Sequence, residues 1–251
     1  MSDCINGTGV ALTLILAFFC SAAMAADKDT SGESSQKSRS GSSASVARKA
    51  VAVPVYVPPK RGAPLVRVGG GSRGIDDGLP YISVITPDHV GYTSKSQPVL
   101  YWYVSEGMKT RFEFALINDV DIEPIVEVTS EQQISAGINS MDLAERGVSL
   151  QPGVAYQWSV ALVSDADKRS SDIVSSGQIE LLALTAAQQA ALENVSEGER
   201  VMVLAQEGYW YDSFDGLSRL IAGDPGNREL REQRAALLEQ VGLSVVSAAS
   251  R

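Results

Sequence analysis

The feature that most constrains the fold is a change of hydrophobic period near Leu184. Between about Pro80 and Leu184, short runs of β-branched and aromatic residues recur between turn signals, a pattern typical of strands. After Leu184, apolar residues return every three to four positions, which predicts amphipathic helices. The expected strands are Ile82–Thr86, Pro98–Val104, Arg111–Ile117, Pro124–Val128, Ala155–Val163 and Gly177–Leu182. We therefore predict an α+β protein with a sheet domain at 80–184 and a helical domain at 185–245.

One strand in this region begins with a more specific pattern. In Leu150–Val160, a Pro-Gly turn leads into a strand that places Tyr156, Trp158 and Val160 on one face. This segment resembles a strand of fibronectin type III and related immunoglobulin-like sandwiches, in which the tyrosine hydroxyl bonds to upstream backbone. The resemblance implies an immunoglobulin- or fibronectin-like antiparallel β-sandwich, with Trp102 as a core tryptophan of an earlier strand.

Start signals and apolar stripes predict the helices that follow. Thr185 with Gln188, and Ser196 with Glu199, have the spacing of capping boxes. A later helix has one apolar face formed by Trp210, Phe214, Leu217 and Ile221. A final helix is expected from about Asn227 to Gln240, with Leu230, Leu237, Leu238 and Val241 directed inward.

The stretch from Gly208 to Pro225 resembles the second helix of a tetratricopeptide repeat. A glycine, an aromatic residue, a small residue, two leucines and a terminal proline fall at matching offsets. The first helix fits less well, since Arg200 stands where an apolar residue is usual. A single hairpin cannot bury its own apolar face. We therefore predict a small C-terminal helical bundle, in which this tetratricopeptide-like hairpin packs on a third helix and on the sandwich.

The first 25 residues have the features of a cleavable secretory signal. Val10 to Cys20 is an uncharged apolar run that is too short to span a bilayer, and Ala23-Met24-Ala25 is a small-x-small cleavage site. We expect cleavage between Ala25 and Ala26. The product would be a periplasmic or secreted protein without a transmembrane span.

Signal cleavage would remove both cysteines, Cys4 and Cys20. The processed chain would then have no disulfide, thiol nucleophile or thiolate metal site. A net charge of −9 disfavours general nucleic-acid binding. The single histidine, His89, has no accompanying G-x-S-x-G elbow, so we expect a surface or turn residue rather than a catalytic one. We predict no cofactor.

Two segments separate the signal from the sheet domain. Residues 26–50 are rich in serine, glycine and basic residues and contain few large apolar ones, which predicts a disordered, flexible linker. Residues 51–79 form an extended arm rich in proline and glycine. Its first part, Val51–Pro59, favours a polyproline-like conformation that lies along a sheet edge or against the domain.

The order of these blocks resembles a bacterial exported family known as domain of unknown function 928. The resemblance covers about Val51 to Leu243 and implies an exported protein, but it carries no agreed activity, ligand or catalytic residue. The resemblance therefore predicts the architecture and the location of this protein, but not its activity. The matching blocks are Tyr56-Val57-Pro58-Pro59, the glycine-rich run from Arg67 to Gly74, Pro98 to Tyr103, the strand with Tyr156 and Trp158, and Gly208 to Asp212.

The run Gly69–Gly74 satisfies the pattern G-x-G-x-x-G. The residues after it, Ile75–Pro80, do not open a helix that could receive a pyrophosphate, so a dinucleotide site is not expected. Two interpretations stay open: a tight structural loop, or a backbone nest that holds a phosphate or an acidic glycan. The candidate binding residues are Arg61, Arg67, Gly69, Gly70, Gly71 and Arg73.

Two acidic groups are further candidates. Asp119, Asp121 and Glu123 alternate, so an extended strand would place three carboxylates on one face, as a calcium site or as solvated surface. Asp76 and Asp77 are a candidate pair for hydrolysis. Adjacent strand residues point to opposite faces, however, so an ordinary turn is the alternative that we favour there.

The triplet Tyr209-Trp210-Tyr211 is the last candidate. Trp210 is expected in the core, and the two tyrosines cannot both face inward with it. At least one is therefore either exposed, where it would suit a protein or glycan partner, or packed against the sandwich.

These observations predict an exported cell-envelope protein that acts as a non-catalytic binding or scaffold module, with an envelope protein or glycan as partner. Part of this prediction rests on the use of such folds for binding. Two alternatives stay open: a carboxylate-dependent hydrolase of envelope polymers, and an accessory protein to a membrane sensor. A pocket with two convergent acids would favour the hydrolase.

Overall fold

The structure is a computed structural model that describes residues 52–59, 67–69, 80–118 and 123–251. These residues belong to one compact unit, Arg48–Arg251. The predicted signal and linker lie outside them. In chain order the strands are β1 (Ile82–Val84), β2 (Gly91–Thr93), β3 (Val99–Val104), β4 (Met108–Lys109), β5 (Arg111–Asn118), β6 (Val126–Ser130), β7 (Gln133–Ile134), β8 (Gly137–Asp142), β9 (Ala155–Val163) and β10 (Ile173–Leu181).

The longer strands form two sheets. One has the order β1-β3-β8, and the other has the order β2-β10-β9-β5-β6, while β4 and β7 form a small ribbon. All pairs are antiparallel except β2 with β10, which is parallel. The expectation of purely antiparallel sheets is therefore wrong at this one pair. The six expected strands are present, and β2, β4, β7 and β8 were not expected.

The period-two pattern places alternate side chains of β5 and β9 in the core, as expected. Tyr156, Trp158 and Val160 of β9 are all buried. The Tyr156 hydroxyl accepts a hydrogen bond from the backbone N–H of Gln151 at 2.9 Å. This bond ties the start of β9 to the turn before it. Trp102 is buried on β3 and stacks on Phe112, with ring centroids 5.1 Å apart.

The helices follow β10. Both predicted capping boxes are present, with Thr185 bonded to Gln188 and Ser196 bonded to Glu199. The last of the expected helices begins after Asn227, whose side chain accepts from the backbone N–H of Leu230 at 3.2 Å. Within the described residues, no helix has both the length and the apolar character needed to cross a membrane. The helices are α1 (Ala186–Ala191), α2 (Glu197–Gln206), α3 (Trp210–Gly223), α4 (Arg228–Gln240) and α5 (Ser244–Ala249).

Sheets and helices share one hydrophobic core. Helix α3 packs against α2 and α4 on one side and against β2 and β3 on the other. The Trp210 indole N–H donates to the carbonyl of Ile85 at 3.1 Å, and the Ser213 hydroxyl donates to the carbonyl of Val201 at 3.1 Å. Helix α3 therefore connects the sheets to the rest of the helices, as expected for a hairpin that cannot bury its own face.

The first part of the arm, residues 52–59, lies against the helices. The Val57 N–H donates to the carbonyl of Ala205 on α2 at 3.1 Å. The Gln240 side chain on α4 accepts from the N–H of Tyr56 and donates to the carbonyl of Pro54, both at 2.8 Å. Of the two positions expected for this first part, the structure has the one against the domain. Further along the arm, Val68 pairs with Ser176 of β10 through two backbone hydrogen bonds.

Candidate functional site

A cavity of about 570 Å³ lies between α2, α3 and the loop that follows β2. Its volume falls in the range of ligand pockets, roughly 300–1,000 Å³. The apolar lining is formed by Leu184, Leu192, Val201, Leu204 and Leu220. The polar lining is formed by Ser94, Lys95, Glu197, Arg200, Asp212 and Arg219. The cavity thus combines aliphatic walls with a few charged groups.

Asp212 is the buried acid of this cavity. It lies in the first turn of α3 and is only 3% exposed. One carboxylate oxygen accepts from the backbone N–H of Ser94 at 2.9 Å, and the other accepts from the Ser94 hydroxyl at 2.7 Å. Burial raises the pKa of Asp212, although the Ser94 hydrogen bonds act in the opposite direction. This carboxylate anchors the loop after β2 to α3.

Asp215 lies one turn further along α3 and is also buried. Its carboxylate is 2.6 Å from the Lys95 ammonium and 3.2 Å from the Arg219 guanidinium, and it accepts from the Tyr101 hydroxyl at 2.9 Å. Burial, followed by the charge of Asp215, raises the pKa of Tyr101. The acid is thus satisfied by groups from three parts of the fold.

The cations of the cavity are more accessible than Asp212 and Asp215, and the third acid, Glu197, is exposed at the cavity wall. The side chains of Lys95 and Arg219 are 37% and 61% exposed. Arg200 is half-buried, and its guanidinium donates to the carbonyl of Leu192 at 3.4 Å. None of the ion pairs found among the described residues includes Arg200, although Glu197 lies one turn before it on α2. Arg200 is therefore the cation most available to a bound carboxylate.

Asp212 and Asp215 do not form the pair of convergent acids that a hydrolase would use. A carboxylate-dependent hydrolase needs two acids that face a common space, one of them able to give a proton. Asp212 directs both oxygens to Ser94, and Asp215 directs its oxygens to two cations and a phenol. Neither carboxylate has an oxygen without a partner.

The sequence interpretation missed Ser94, Lys95, Asp212 and Asp215. A signal was present for the two acids, because they lie on either side of Phe214 within an otherwise apolar part of α3. An acid on a buried helix face must find a partner. Nothing local in the sequence identifies the loop after β2 as that partner.

A family model described as Domain of Unknown Function (DUF928) matches residues 68–251 of the chain. The chain belongs to the DUF928 family. No curated protein matches it. Among solved structures, a multi-domain immunophilin from Arabidopsis thaliana is similar over 77% of this chain and 97% of that one, at 8% identity and a TM-score of 0.16. A likeness of that size carries no argument about the fold or the function.

Arg67 of the DUF928 chain lines a second cavity, of about 460 Å³, together with Tyr56, Asp88, His89 and Gln240. One nitrogen of its guanidinium donates to the carbonyls of Thr86 and Val241, at 2.9 Å each. Burial lowers the pKa of Arg67. The side chain thus holds the loop after β1 against the end of α4.

In the glycine-rich candidate loop, Gly69 is exposed with open space around it. Arg61, Gly70, Gly71 and Arg73 lie outside the described residues, so the anion-binding loop stays a prediction.

His89 lies in the loop between β1 and β2, as the sequence predicts for a turn residue. Its side chain is only 15% exposed. One ring nitrogen is 2.9 Å from the Tyr56 hydroxyl and the other is 3.1 Å from the Asp88 carboxylate. Burial raises the pKa of Tyr56, so this phenol is a poor nucleophile. The three groups hold the arm of the DUF928 chain in place.

Tyr209 and Tyr211 are both buried, at 1% and 2% exposure. Tyr211 lies against the sheet, where its hydroxyl bonds to Thr86 and Trp158. Tyr209 packs with Tyr92 and with leucines of the helices in a second small core. Of the two interpretations offered for this pair, the structure has the packing one, and neither ring is exposed to a partner.

The acidic candidates lie mostly outside the described residues. The structure does not describe Asp76, Asp77, Asp119 or Asp121. It does describe Glu123, which is exposed. Within the described ranges, no three histidine, cysteine or acidic side chains are grouped closely enough to hold a metal ion. The calcium site therefore stays a prediction.

Proposed function

We propose that this DUF928 chain is a non-catalytic binding module of the cell envelope. Its site is the cavity between α2, α3 and the loop after β2, and its ligand is an apolar segment of an envelope protein that carries a carboxylate. The observation that supports this proposal is the pairing of aliphatic walls with accessible cations, in a cavity whose two buried neighbouring acids, Asp212 and Asp215, already have partners.

The walls supply the affinity in this proposal. Leu192, Leu204 and Leu220 present aliphatic surface to the cavity. Each aliphatic side chain of the ligand that leaves water against these walls contributes about 1.5–3 kcal/mol before ordering costs. Arg200 then selects a ligand with a carboxylate, because a charge-assisted hydrogen bond in a partly buried site is stronger than a neutral one.

The test uses a labelled pentapeptide of alanine and leucine that ends in a free carboxylate, compared with the same peptide as an amide. Fluorescence anisotropy measures the dissociation constant. We expect the free carboxylate to bind about tenfold or more tightly than the amide, and Arg200→Gln to remove that difference. Lys168→Gln is the matched control, because Lys168 is an exposed cation in the loop between β9 and β10, away from the cavity. Equal binding of both peptides by the native protein would contradict the proposal.

Point substitutions are preferable here to removal of the helices. Trp210 and Tyr211 of α3 belong to the core that the sheets share. A chain ending at Leu184 would lose both rings, so a loss of binding would not distinguish a missing site from a disrupted fold.

The location belongs to the same proposal. The apolar run before Ala25 supports export and cleavage before Ala26. Amino-terminal sequencing of the protein from envelope extracts tests it: a first residue of Ala26 is expected, and an intact Met1 in the cytoplasmic fraction would contradict it.

We also propose that the two sheets are an immunoglobulin-like sandwich and that α2 and α3 are a tetratricopeptide-like hairpin. The order β1-β3-β8 in one sheet and β10-β9-β5-β6 in the other supports the first, as does the Tyr156 bond to the turn at Gln151. The close packing of α2 on α3 supports the second. If an experimental structure showed that the two sheets do not pack face to face around Trp158, the sandwich proposal would be contradicted.

A further inference from the structure

Helix α4 carries two arginines, Arg231 and Arg234, that form no ion pair with the described residues. Arg231 and Arg234 are three positions apart, so their side chains leave the helix as neighbours. The Nε atoms of both are buried, and neither has a hydrogen-bond partner within the described part of the chain. The ion pairs of α4 join Arg228 to Glu232 and Glu239 to Arg251, and neither Arg231 nor Arg234 takes part in one among the described residues.

This arrangement is unfavourable as it stands. Burial lowers the pKa of Arg234, the charge of Arg231 lowers it further, and Tyr101 opposes both effects. A guanidinium does not lose its proton in a protein, so the pair stays charged and the two charges repel each other. A polar group that is buried without a partner costs free energy. In a chain with net charge −9, it is unusual that two half-buried cations form no ion pair with the part of the chain that the structure describes.

The surroundings of the two arginines supply hydroxyl groups and a further cation, but no free carboxylate among the described residues. Arg219 of α3 and Arg234 of α4 both influence the Tyr101 phenol of β3. On α3, which packs against α4, the hydroxyl of Ser218 is also buried without a partner among the described residues. The one acid beside Tyr101 is Asp215, and its oxygens are occupied by Lys95, Arg219 and Tyr101 itself. The missing counter-charge must therefore come from outside this part of the chain.

We propose that Arg231 and Arg234 form a binding site for an oxyanion, the phosphate or carboxylate group of an external ligand. The planar guanidinium offers paired N–H donors that match the oxygens of such a group. The anion would supply the missing charge for both arginines at once. Neither Arg231 nor Arg234 lines the cavity of the proposed function, so either proposal can fail without the other.

The experiment measures thermal unfolding of the protein in sodium phosphate, sodium acetate and sodium chloride at matched ionic strength. A single oxyanion site predicts that Tm rises with the logarithm of the oxyanion concentration above the dissociation constant, by about 5–10 °C at one hundred times that constant. A rise in phosphate alone indicates a phosphate ligand, and a rise in acetate indicates a carboxylate ligand. The absence of such a rise, relative to chloride, in both salts overturns the proposal.

Variants separate this site from the general stabilising effect of phosphate, which acts on most proteins by exclusion from their surface. Arg234→Met should weaken the affinity for phosphate about 10- to 100-fold by isothermal titration calorimetry. The same variant should keep or raise the Tm in chloride, because it removes an uncompensated buried charge. Arg228→Met is the matched control, since Arg228 is exposed and paired with Glu232. It should leave the phosphate response unchanged.

A purely structural role for Arg234 predicts the reverse of both results. In that case Arg234→Met would lower the Tm in chloride and would leave the phosphate response intact. That combination overturns the proposal, as does an equal phosphate response in native protein, Arg231→Met and Arg234→Met.

Discussion

The indole N–H of Trp158 donates a hydrogen bond to the hydroxyl of Tyr211 at 2.9 Å. The same hydroxyl donates to the carbonyl of Gln178 and lies 2.9 Å from the hydroxyl of Thr86. Because a phenol has only one proton, the Tyr211 oxygen accepts from both Trp158 and Thr86. One buried phenol thus joins β9, β10 and the segment after β1 to helix α3.

Tyr211→Phe should therefore destabilise the protein more than the loss of one ordinary hydrogen bond would. The substitution leaves the Trp158 N–H and the Gln178 carbonyl without this partner in a fully buried position, at a cost of about 2–3 kcal/mol. Urea unfolding followed by circular dichroism measures the change in the free energy of unfolding. The control is Tyr209→Phe, since the Tyr209 hydroxyl makes only contacts of 3.4 Å. Its expected loss is below about 1 kcal/mol, and equal losses would contradict this account.

The surroundings of Tyr209 and Tyr211 show which features of α3 can be predicted from the sequence and which cannot. The helical period correctly placed Trp210, Phe214 and Leu217 in the core. It assumed that α3 has one buried face, whereas every residue from Trp210 to Leu217 is buried. When a helix is buried on all sides, it has no polar face opposite its apolar face, so a helical hydrophobic period does not reveal its full burial. The sheet that covers the second side comes from distant parts of the chain.

Asp212→Asn tests the anchor between α3 and the loop after β2. An asparagine oxygen can still accept from the Ser94 N–H, and its amide can donate to the Ser94 hydroxyl oxygen, so both contacts survive as neutral hydrogen bonds that are weaker than those to a carboxylate. The expected loss is about 1 kcal/mol in the free energy of unfolding. Calorimetric or urea unfolding of both proteins measures it. A neutral effect would mean that Ser94 does not hold the carboxylate in solution.

The pH dependence of that loss has a definite sign. Because the pKa of Asp212 is raised in the folded protein, the folded state binds its proton more tightly than the unfolded state does. The contribution of Asp212 to stability is therefore full below the ordinary aspartate pKa and is lost as the pH rises through the raised value. The stability difference between the native protein and Asp212→Asn should shrink over this window, by at most about 1.4 kcal/mol per pH unit. A difference that grows with pH would show that the ionised form is the favoured one.

Tyr156→Phe tests the bond between β9 and its preceding turn. The phenol is 3% exposed, and the N–H of Gln151 would lose its partner. We expect a loss of about 1 kcal/mol, because Gln151 is exposed and water can replace part of the bond. The free energy of unfolding measures it, and hydrogen exchange at the Gln151 amide should accelerate. Unchanged exchange would contradict the role of the bond.

The strands that the sequence did not predict share a physical reason. β2, β4 and β7 have two or three residues each, too few for a period-two pattern to appear. β8 has six residues, but its Gly-Ile-Asn-Ser-Met-Asp sequence contains one fully buried apolar side chain, Met141. β2 and β8 form because β10 and β3 offer unpaired backbone groups, and β4 and β7 form because the fold brings these two segments together. Both causes are tertiary information.

Gly216→Ala tests the close approach of α2 and α3. A Cβ at Gly216 would lie 2.7 Å from a methyl carbon of Val201, a β-branched side chain that cannot easily turn away in a helix. The clash should cost about 1–3 kcal/mol, partly offset by the better helix propensity of alanine. Urea unfolding should therefore show a net loss. Gly223→Ala, at the end of the same helix, has open space around its new Cβ and should show no loss.

The double variant with Val201→Ala provides the decisive comparison. Val201→Ala alone leaves a cavity and is destabilising. In the double variant, the new methyl group at position 216 fills part of that cavity, so the combined loss should be smaller than the sum of the single losses by about 1–2 kcal/mol. Strict additivity would mean that the two residues do not touch in solution, and it would place the contact between α2 and α3 elsewhere.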